Sequence, residues 1–167
     1  MAESDRVFKG KVKQSGVFNF KDFYEFLYDL LMEEGYDVVE TKYVEVKKGT
    51  DSKNVEITWR ADKGISSYFK FSLTLRWLIQ GLTKVKVKKD GEEISMDSAS
   101  MEIDFTAELI KDPDDEWKKS YLAYMRELYD EYIIKARIED HEVKIFEEVN
   151  DIINSMKAYL AIEGQHA

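Results

Sequence analysis

Few residue types in this chain could carry out chemistry. Histidine occurs only at His141 and His166, and the chain contains no cysteine. It therefore has no thiolate nucleophile or thiolate ligand, and two distant histidines do not make a zinc site. Spacing patterns typical of zinc proteases, nucleophile elbows, dinucleotide-binding folds and phosphate-binding loops are also missing from the sequence. We therefore predict no catalytic residue, no metal and no cofactor, although buried Asp or Glu pairs could still act as acid and base.

The densest acidic cluster surrounds the only proline, Pro113, and consists of Asp112, Asp114, Asp115 and Glu116. Calcium binding would need the central glycine and distal glutamate of an EF-hand, and neither follows here. An aspartate cap, a proline at the first helical position and further acids in the first turn are typical of a helix start. The cluster therefore predicts the beginning of a helix.

The densest basic cluster is Lys84, Lys86, Lys88 and Lys89. These lysines could contact phosphates, but alternating lysines are more typical of a solvent-facing or edge strand. The whole chain carries a net charge of -9, which disfavours binding to nucleic acid or to anionic lipid. We predict no nucleic-acid partner.

Size and composition are those of one globular domain. The 167 residues are 44% apolar and 35% charged, and no apolar run approaches the roughly 18 residues of a membrane span. The first six residues are largely polar, unlike a signal peptide. Together with the absence of cysteine, these features predict a cytoplasmic protein.

Alternation of apolar and polar residues predicts an antiparallel sheet. The clearest stretch is 68–80, where every second residue is apolar, and 54–60 and 100–110 share this pattern. Residues 36–47 change phase near 40–42, which indicates a bulge. Asp90-Gly91 predicts a tight hairpin, and Gly81 and Asp97-Ser98 predict further turns between strands. With a first strand at 6–14, we expect about six to seven strands and an α+β fold in which the sheet is curved.

Two helical segments flank these strands. Asn19 is the expected cap of a helix over 19–34, with Asp22 three residues later and Gly35 at its end. A sheet region over 1–112 is followed by a helical segment over 113–163, packed on the same domain. One unbroken helix there would be roughly 75 Å long. We therefore expect either a break near 136–141, giving a helical hairpin, or a projecting second half.

The order strand, helix, about six strands, long helix resembles the helix-grip arrangement of START-like domains over residue 6 to about residue 134. The resemblance rests on element order; that family usually has two helices after the first strand, and its last helix is about half as long. It implies a curved sheet that wraps a C-terminal helix.

The long strand predicts a pocket, because a long strand twists and a curved sheet can be filled imperfectly. The first hypothesis is a non-enzymatic module that binds an apolar small molecule or lipid between the sheet and the helices. The competing interpretation is that the aromatic residues are simply part of the packed core. The pocket candidates are Trp59, Phe71, Trp77, Phe105, Trp117 and Tyr121.

Heptad-like spacing in the last helix supports the alternative, a protein that self-associates as a homodimer or pairs with another protein. Apolar residues recur there at steps of seven and four, with Glu142 at one core position. Packing of the same face on the protein's own sheet is the competing interpretation. The partner-helix candidates are Ile138, Ile145, Val149, Ile152, Met156 and Tyr159.

Overall fold

The computed structural model describes residues 3–111 and 135–165, together with Pro113, Tyr124, Met125 and Leu128. Within these residues the chain forms one antiparallel sheet and two helices, so the α+β class is confirmed. The elements in chain order are β1 (Glu3–Phe18), α1 (Phe20–Glu33), β2 (Asp37–Lys48), β3 (Ser52–Gly64), β4 (Phe69–Lys89), β5 (Glu92–Lys111) and α2 (Lys135–Gln165).

The sheet has five strands in the order β1-β5-β4-β3-β2. Strands β2 to β5 form a meander of neighbours, whereas β1 pairs with β5, the last strand in the sequence. The first two strands therefore lie at opposite edges, and α1, which joins them, has to cross the sheet.

The expected count of six to seven strands is corrected to five, because two expected turns lie inside long strands. Gly81 has a φ of +65°, and the register shifts between Gln80 and Thr83, so this position is a bulge within the 21-residue β4. The N–H of Gly81 donates to Asn54 Oδ1 at 3.0 Å, which satisfies a group that the bulge displaces from the ladder. Asp97 and Ser98 likewise continue the 20-residue β5.

Local signals at other positions are confirmed. The register of β2 with β3 shifts between Glu40 and Lys42, as the change of phase predicts. Asp90 and Gly91 both have positive φ, which a type I′ hairpin turn requires. The Asn19 side chain accepts a hydrogen bond from the N–H of Asp22 at 3.1 Å, and it therefore caps α1.

The core lies on one face of the sheet. Alternate residues of β3, β4 and β5 are buried there, and α1 contributes Phe23, Leu27 and Leu31 to the same cluster. The opposite face carries charges of both signs, including the exposed pair Lys42 and Glu56 at 2.8 Å. Burial of one face thus follows the alternation seen in the sequence.

Helix α2 lies on the same face of the sheet as α1. Its residues Ile145, Val149 and Met156 are fully buried within the core cluster. A polar contact adds to this packing, since Glu148 accepts hydrogen bonds from Tyr36 and Lys63. Residues 136–141, where a break was one of the two expected outcomes, are helical, while 114–123 and 129–134 lie outside the described residues.

Candidate functional site

A groove opens where the first turn of α1 meets one end of the sheet. It has a volume of about 340 Å³, within the range of small-molecule sites. Its walls are Phe20 and Lys21 at the start of α1, residues 43, 47 and 50–53 around the β2–β3 turn, residues 82–84 after the β4 bulge, and Asp97 of β5. We call it the α1 groove. Four segments that are distant in sequence therefore form one concave surface.

Part of the α1 groove is apolar. Phe20, Tyr43 and Leu82 line it, and Leu82 is buried while the Tyr43 side chain is exposed. The Phe20 ring packs edge-on against the Trp77 ring, with 6.2 Å between centroids. Phe20 thus lies between the groove and the aromatic core beneath α1. An apolar ligand body would find hydrophobic contacts at this wall.

Lysines make the α1 groove basic although the chain is acidic. Among its lining side chains four are lysines and two are aspartates, which gives two net positive charges. Among the described residues, Lys21 and Lys47 form no ion pair, whereas Lys53 binds Glu45 at 2.9 Å and Lys84 binds Asp97 at 2.8 Å. Lys21 and Lys47 are therefore the cations most available to an anion.

Asp97 joins the start of α1 to the sheet. Asp97 is buried, and its carboxylate accepts a hydrogen bond from the Phe20 N–H at 3.0 Å. The same carboxylate forms an ion pair with Lys84 at 2.8 Å. A carboxylate at a helix N-terminus is favourable because the helix dipole is positive there. Since Asp97 already occupies this position, an anion in the groove would be held by the lysines rather than by the helix end.

Tyr43 brings a hydroxyl group into the α1 groove. The hydroxyl donates to Glu45 at 2.7 Å. Partial burial and this hydrogen bond raise the pKa of Tyr43 to about 12. The phenol is therefore neutral at physiological pH, where it provides hydrogen bonding and apolar surface and is a poor general acid or base.

Two of the predicted pocket residues, Trp59 and Trp77, lie together in the aromatic core behind Phe20. Their ring centroids are 4.9 Å apart, and both side chains are fully buried. The Trp59 indole N–H donates to Glu40 at 3.3 Å. The Trp77 indole N–H has no hydrogen-bond partner among the described residues, and an unsatisfied buried donor costs about 1–3 kcal/mol. An acceptor that reached this nitrogen would recover part of that cost.

Phe71 and Phe105 share the buried core of the tryptophan pair but make no ring contact with it in the described part of the chain. Phe71 precedes Trp77 by six positions of β4, a distance of about 20 Å along a strand. Trp117 and Tyr121 lie outside the described residues. The lining of the α1 groove was missed by sequence reasoning, because its lysines come from separate segments and share no local pattern.

The six partner-helix candidates face the protein's own sheet. Ile145, Val149, Ile152 and Met156 are buried in the core, and Ile138 and Tyr159 pack against it. The Tyr159 ring stacks on Phe26 with 4.4 Å between centroids. A second chain could therefore reach this face only if α2 left the sheet.

The remaining chemical candidates show no site within the described residues. His141 packs against Phe69, with 4.6 Å between ring centroids, and partial burial lowers its pKa below the usual value. No three His, Asp or Glu side chains of the described part gather where they could hold a metal ion. The acidic residues Asp112, Asp114, Asp115 and Glu116, and also His166, lie outside the described residues. Asp97 is the only buried carboxylate of the described part.

Comparisons of the chain with protein families, with curated proteins and with solved structures give no match. Neither described helix is long and apolar enough to cross a membrane. A functional assignment therefore has to rest on the chemistry of the α1 groove.

Proposed function

We propose that this protein is a binding module whose α1 groove takes an amphipathic small molecule with an apolar body and an anionic group. The observation that supports the proposal is the combination, in one concave site, of an apolar wall with two lysines that form no ion pair among the described residues. Phe20 and Leu82 supply the wall, and Lys21 and Lys47 supply the charge. This site lies between α1 and the sheet, and its lining differs from the predicted aromatic set.

Electrostatics favour an anion at this site over a neutral ligand. The surface as a whole repels anions, because the net charge is -9. A local excess of lysines in a concave site attracts a carboxylate, sulfonate or phosphate group at short range, within the screening length of about 8 Å at physiological salt. The same groups would select against purely apolar molecules of similar size, which leave the lysines without a counter-ion.

Phe20 connects the proposed site with the aromatic core. A ligand body that contacts Phe20 is separated by one ring from the Trp77 indole, whose N–H has no acceptor among the described residues. Movement of Phe20 would therefore extend the groove towards Trp77 and Trp59.

Anilinonaphthalene sulfonate is a suitable probe, because it joins an apolar ring system to one anionic group and fluoresces when shielded from water. We expect the Lys21→Glu variant to bind it about tenfold more weakly, since reversing one nearby charge changes the interaction by roughly 1–2 kcal/mol. The matched control is Lys157→Glu, an exposed lysine of α2 with the same change in net charge. The control should bind the probe as the parent protein does.

The uncharged parent compound, anilinonaphthalene, separates charge recognition from simple apolar binding. We expect it to bind more weakly than the sulfonate and to be insensitive to Lys21→Glu. Equal affinity of the Lys21→Glu and Lys157→Glu variants for the sulfonate would refute the proposed site. Probe binding that does not weaken as salt concentration rises would refute the role of the lysines.

A further inference from the structure

Strand β2 leaves one edge of the sheet open. In the described part of the chain it pairs with β3 alone. Eleven of its twelve residues are exposed, and the exposed fractions of Val44 and Val46 are 41% and 47%. The opposite edge differs, because α2 packs against β1 there through the rings of Phe8 and Phe146. An exposed edge with apolar side chains is a surface to which a further strand can add.

The bulge near the middle of β2 restricts where a strand could add. The register with β3 shifts between Glu40 and Lys42, and a bulge interrupts regular pairing. Residues 43–48 are paired regularly with β3 and end at the turn. We call residues 43–48 the β2 edge segment. A new strand would therefore pair with this short segment rather than with the whole strand.

The β2 edge segment is complementary to itself in one antiparallel register. With Val46 on a twofold axis perpendicular to the sheet, Val46 faces Val46 of a second copy and Val44 faces Lys48. Glu45, which binds Lys53 of its own chain at 2.9 Å, faces Lys47, which also lines the α1 groove. Opposite charges directly across a strand pair are stabilising, and like charges are destabilising. An axis through Glu45 or through Lys47 would instead place that residue opposite its own copy. The charges therefore favour one register.

We propose that two copies of this chain associate through their β2 edge segments in the register centred on Val46, which joins two five-stranded sheets into one. The partner at this edge is a second copy of the chain, because in the antiparallel register Glu45 of each copy lies opposite Lys47 of the other. A symmetric, isologous contact of this kind closes on itself and stops at the dimer. The contact is small, so the dimer forms weakly and its population rises with protein concentration.

Cysteine substitution tests the register directly, because the chain contains no cysteine of its own. Under mild oxidation the Val46→Cys variant should form a disulfide-linked dimer rapidly, since the two sulfur atoms face each other across the axis. Val44→Cys is the matched control on the same strand face, because it would face Lys48. Val143→Cys is a control on α2 whose exposure, 57%, is similar to the 47% of Val46. Both controls should cross-link at the slower rate of random collision.

A charge exchange provides an independent test without cysteine. Glu45→Lys alone and Lys47→Glu alone each place like charges across the axis, and each should lower the dimer fraction in sedimentation velocity at high protein concentration. The double variant restores opposite charges and should recover the dimer. A monomer at all concentrations, or cross-linking as fast at Val44→Cys or Val143→Cys as at Val46→Cys, would overturn the proposal. So would a double variant that remains as monomeric as the single ones.

Discussion

At the scale of single residues, Glu148 connects three separate parts of the chain. Its carboxylate accepts hydrogen bonds from the Tyr36 hydroxyl at 2.8 Å and from the Lys63 ammonium at 3.0 Å, and the Lys63 nitrogen lies 5.3 Å from the centre of the Tyr36 ring. Burial, together with the bond to Glu148, raises the pKa of Tyr36 above its usual value. The three side chains thus join α2 to β3 and to the turn between α1 and β2.

Replacement of Glu148 by alanine should lower the free energy of unfolding by about 1–3 kcal/mol, because it leaves the Tyr36 hydroxyl without its acceptor in a buried position. Urea unfolding measures this change. The neighbouring Glu147→Ala is the control, since Glu147 is exposed and the change in charge and helix propensity is the same. Equal effects of the two substitutions would show that the hydrogen bonds contribute nothing specific.

His141 should make stability depend on pH in mildly acidic solution. Burial, followed by repulsion from Lys144, lowers its pKa in the folded state. As the pH falls through the unfolded value near 6.5, the unfolded chain takes up the proton first. Stability is therefore fully present above this pH and decreases below it. Urea midpoints at pH 7.5 and about 5.5 should differ less in a His141→Gln variant, and an unchanged difference would contradict this assignment.

At the scale of elements, the bulge at Gly81 keeps β4 continuous and brings Leu82 to the α1 groove. We expect Gly81→Ala to destabilise the fold by about 1–2 kcal/mol, because a Cβ is disfavoured at its φ of +65°. No atom lies within 4 Å of that Cβ, so crowding is not the cause. Gly64→Ala has equal space without a positive φ. It should be neutral or slightly stabilising in thermal unfolding, and similar losses at both sites would refute this reasoning.

The packing of α2 on the sheet leads to a prediction with a matched pair of valines. Val149 is fully buried, whereas Val143 is 57% exposed on the same helix. Val149→Ala should cost about 2 kcal/mol through lost burial and the cavity left behind. Val143→Ala should change stability by less than about 0.5 kcal/mol. Comparable effects in urea unfolding would mean that α2 is not held by this face.

Some features of the strands and helices could be predicted from the sequence, and others could not. Alternation identified the buried face of β3, β4 and β5, and Asn19 and Asp90-Gly91 marked a cap and a turn, because these signals depend on neighbours in the chain. Gly81 and Asp97-Ser98 were misread as turns. Glycine with positive φ suits a bulge as well as a turn, and only pairing with a distant strand decides between them. Strand count therefore depended on long-range contacts.

At the scale of the whole molecule, the helices and the sheet share one core. Residues of α1, α2 and four strands belong to a single buried cluster. We therefore expect one cooperative transition, in which far-ultraviolet circular dichroism and tryptophan fluorescence follow the same urea curve. Loss of helical signal at a lower urea concentration than the fluorescence change would show that α2 unfolds separately.

The lining of the α1 groove could not be predicted from the sequence. Lys21, Lys47, Lys53 and Lys84 come from four elements or turns, and each one alone resembles an ordinary solvated lysine. Their convergence follows from the strand order and from the path of α1 across the sheet. Lys84 belongs to a run that was interpreted as solvent-facing, and its ion pair with Asp97 becomes visible only once β4 and β5 are aligned.

The pairing of β1 with β5 has a consequence for synthesis on the ribosome. Phe18 pairs with Asp97 and Glu3 with Lys111. Strand β1 therefore cannot pair until the intervening chain and β5 have been translated. At about 5–20 residues per second, this interval is roughly 4–20 s. During that time the nascent β1 exposes its backbone donors and acceptors without a neighbouring strand. The first strand made is thus the segment of this chain for which a holding chaperone would be most useful.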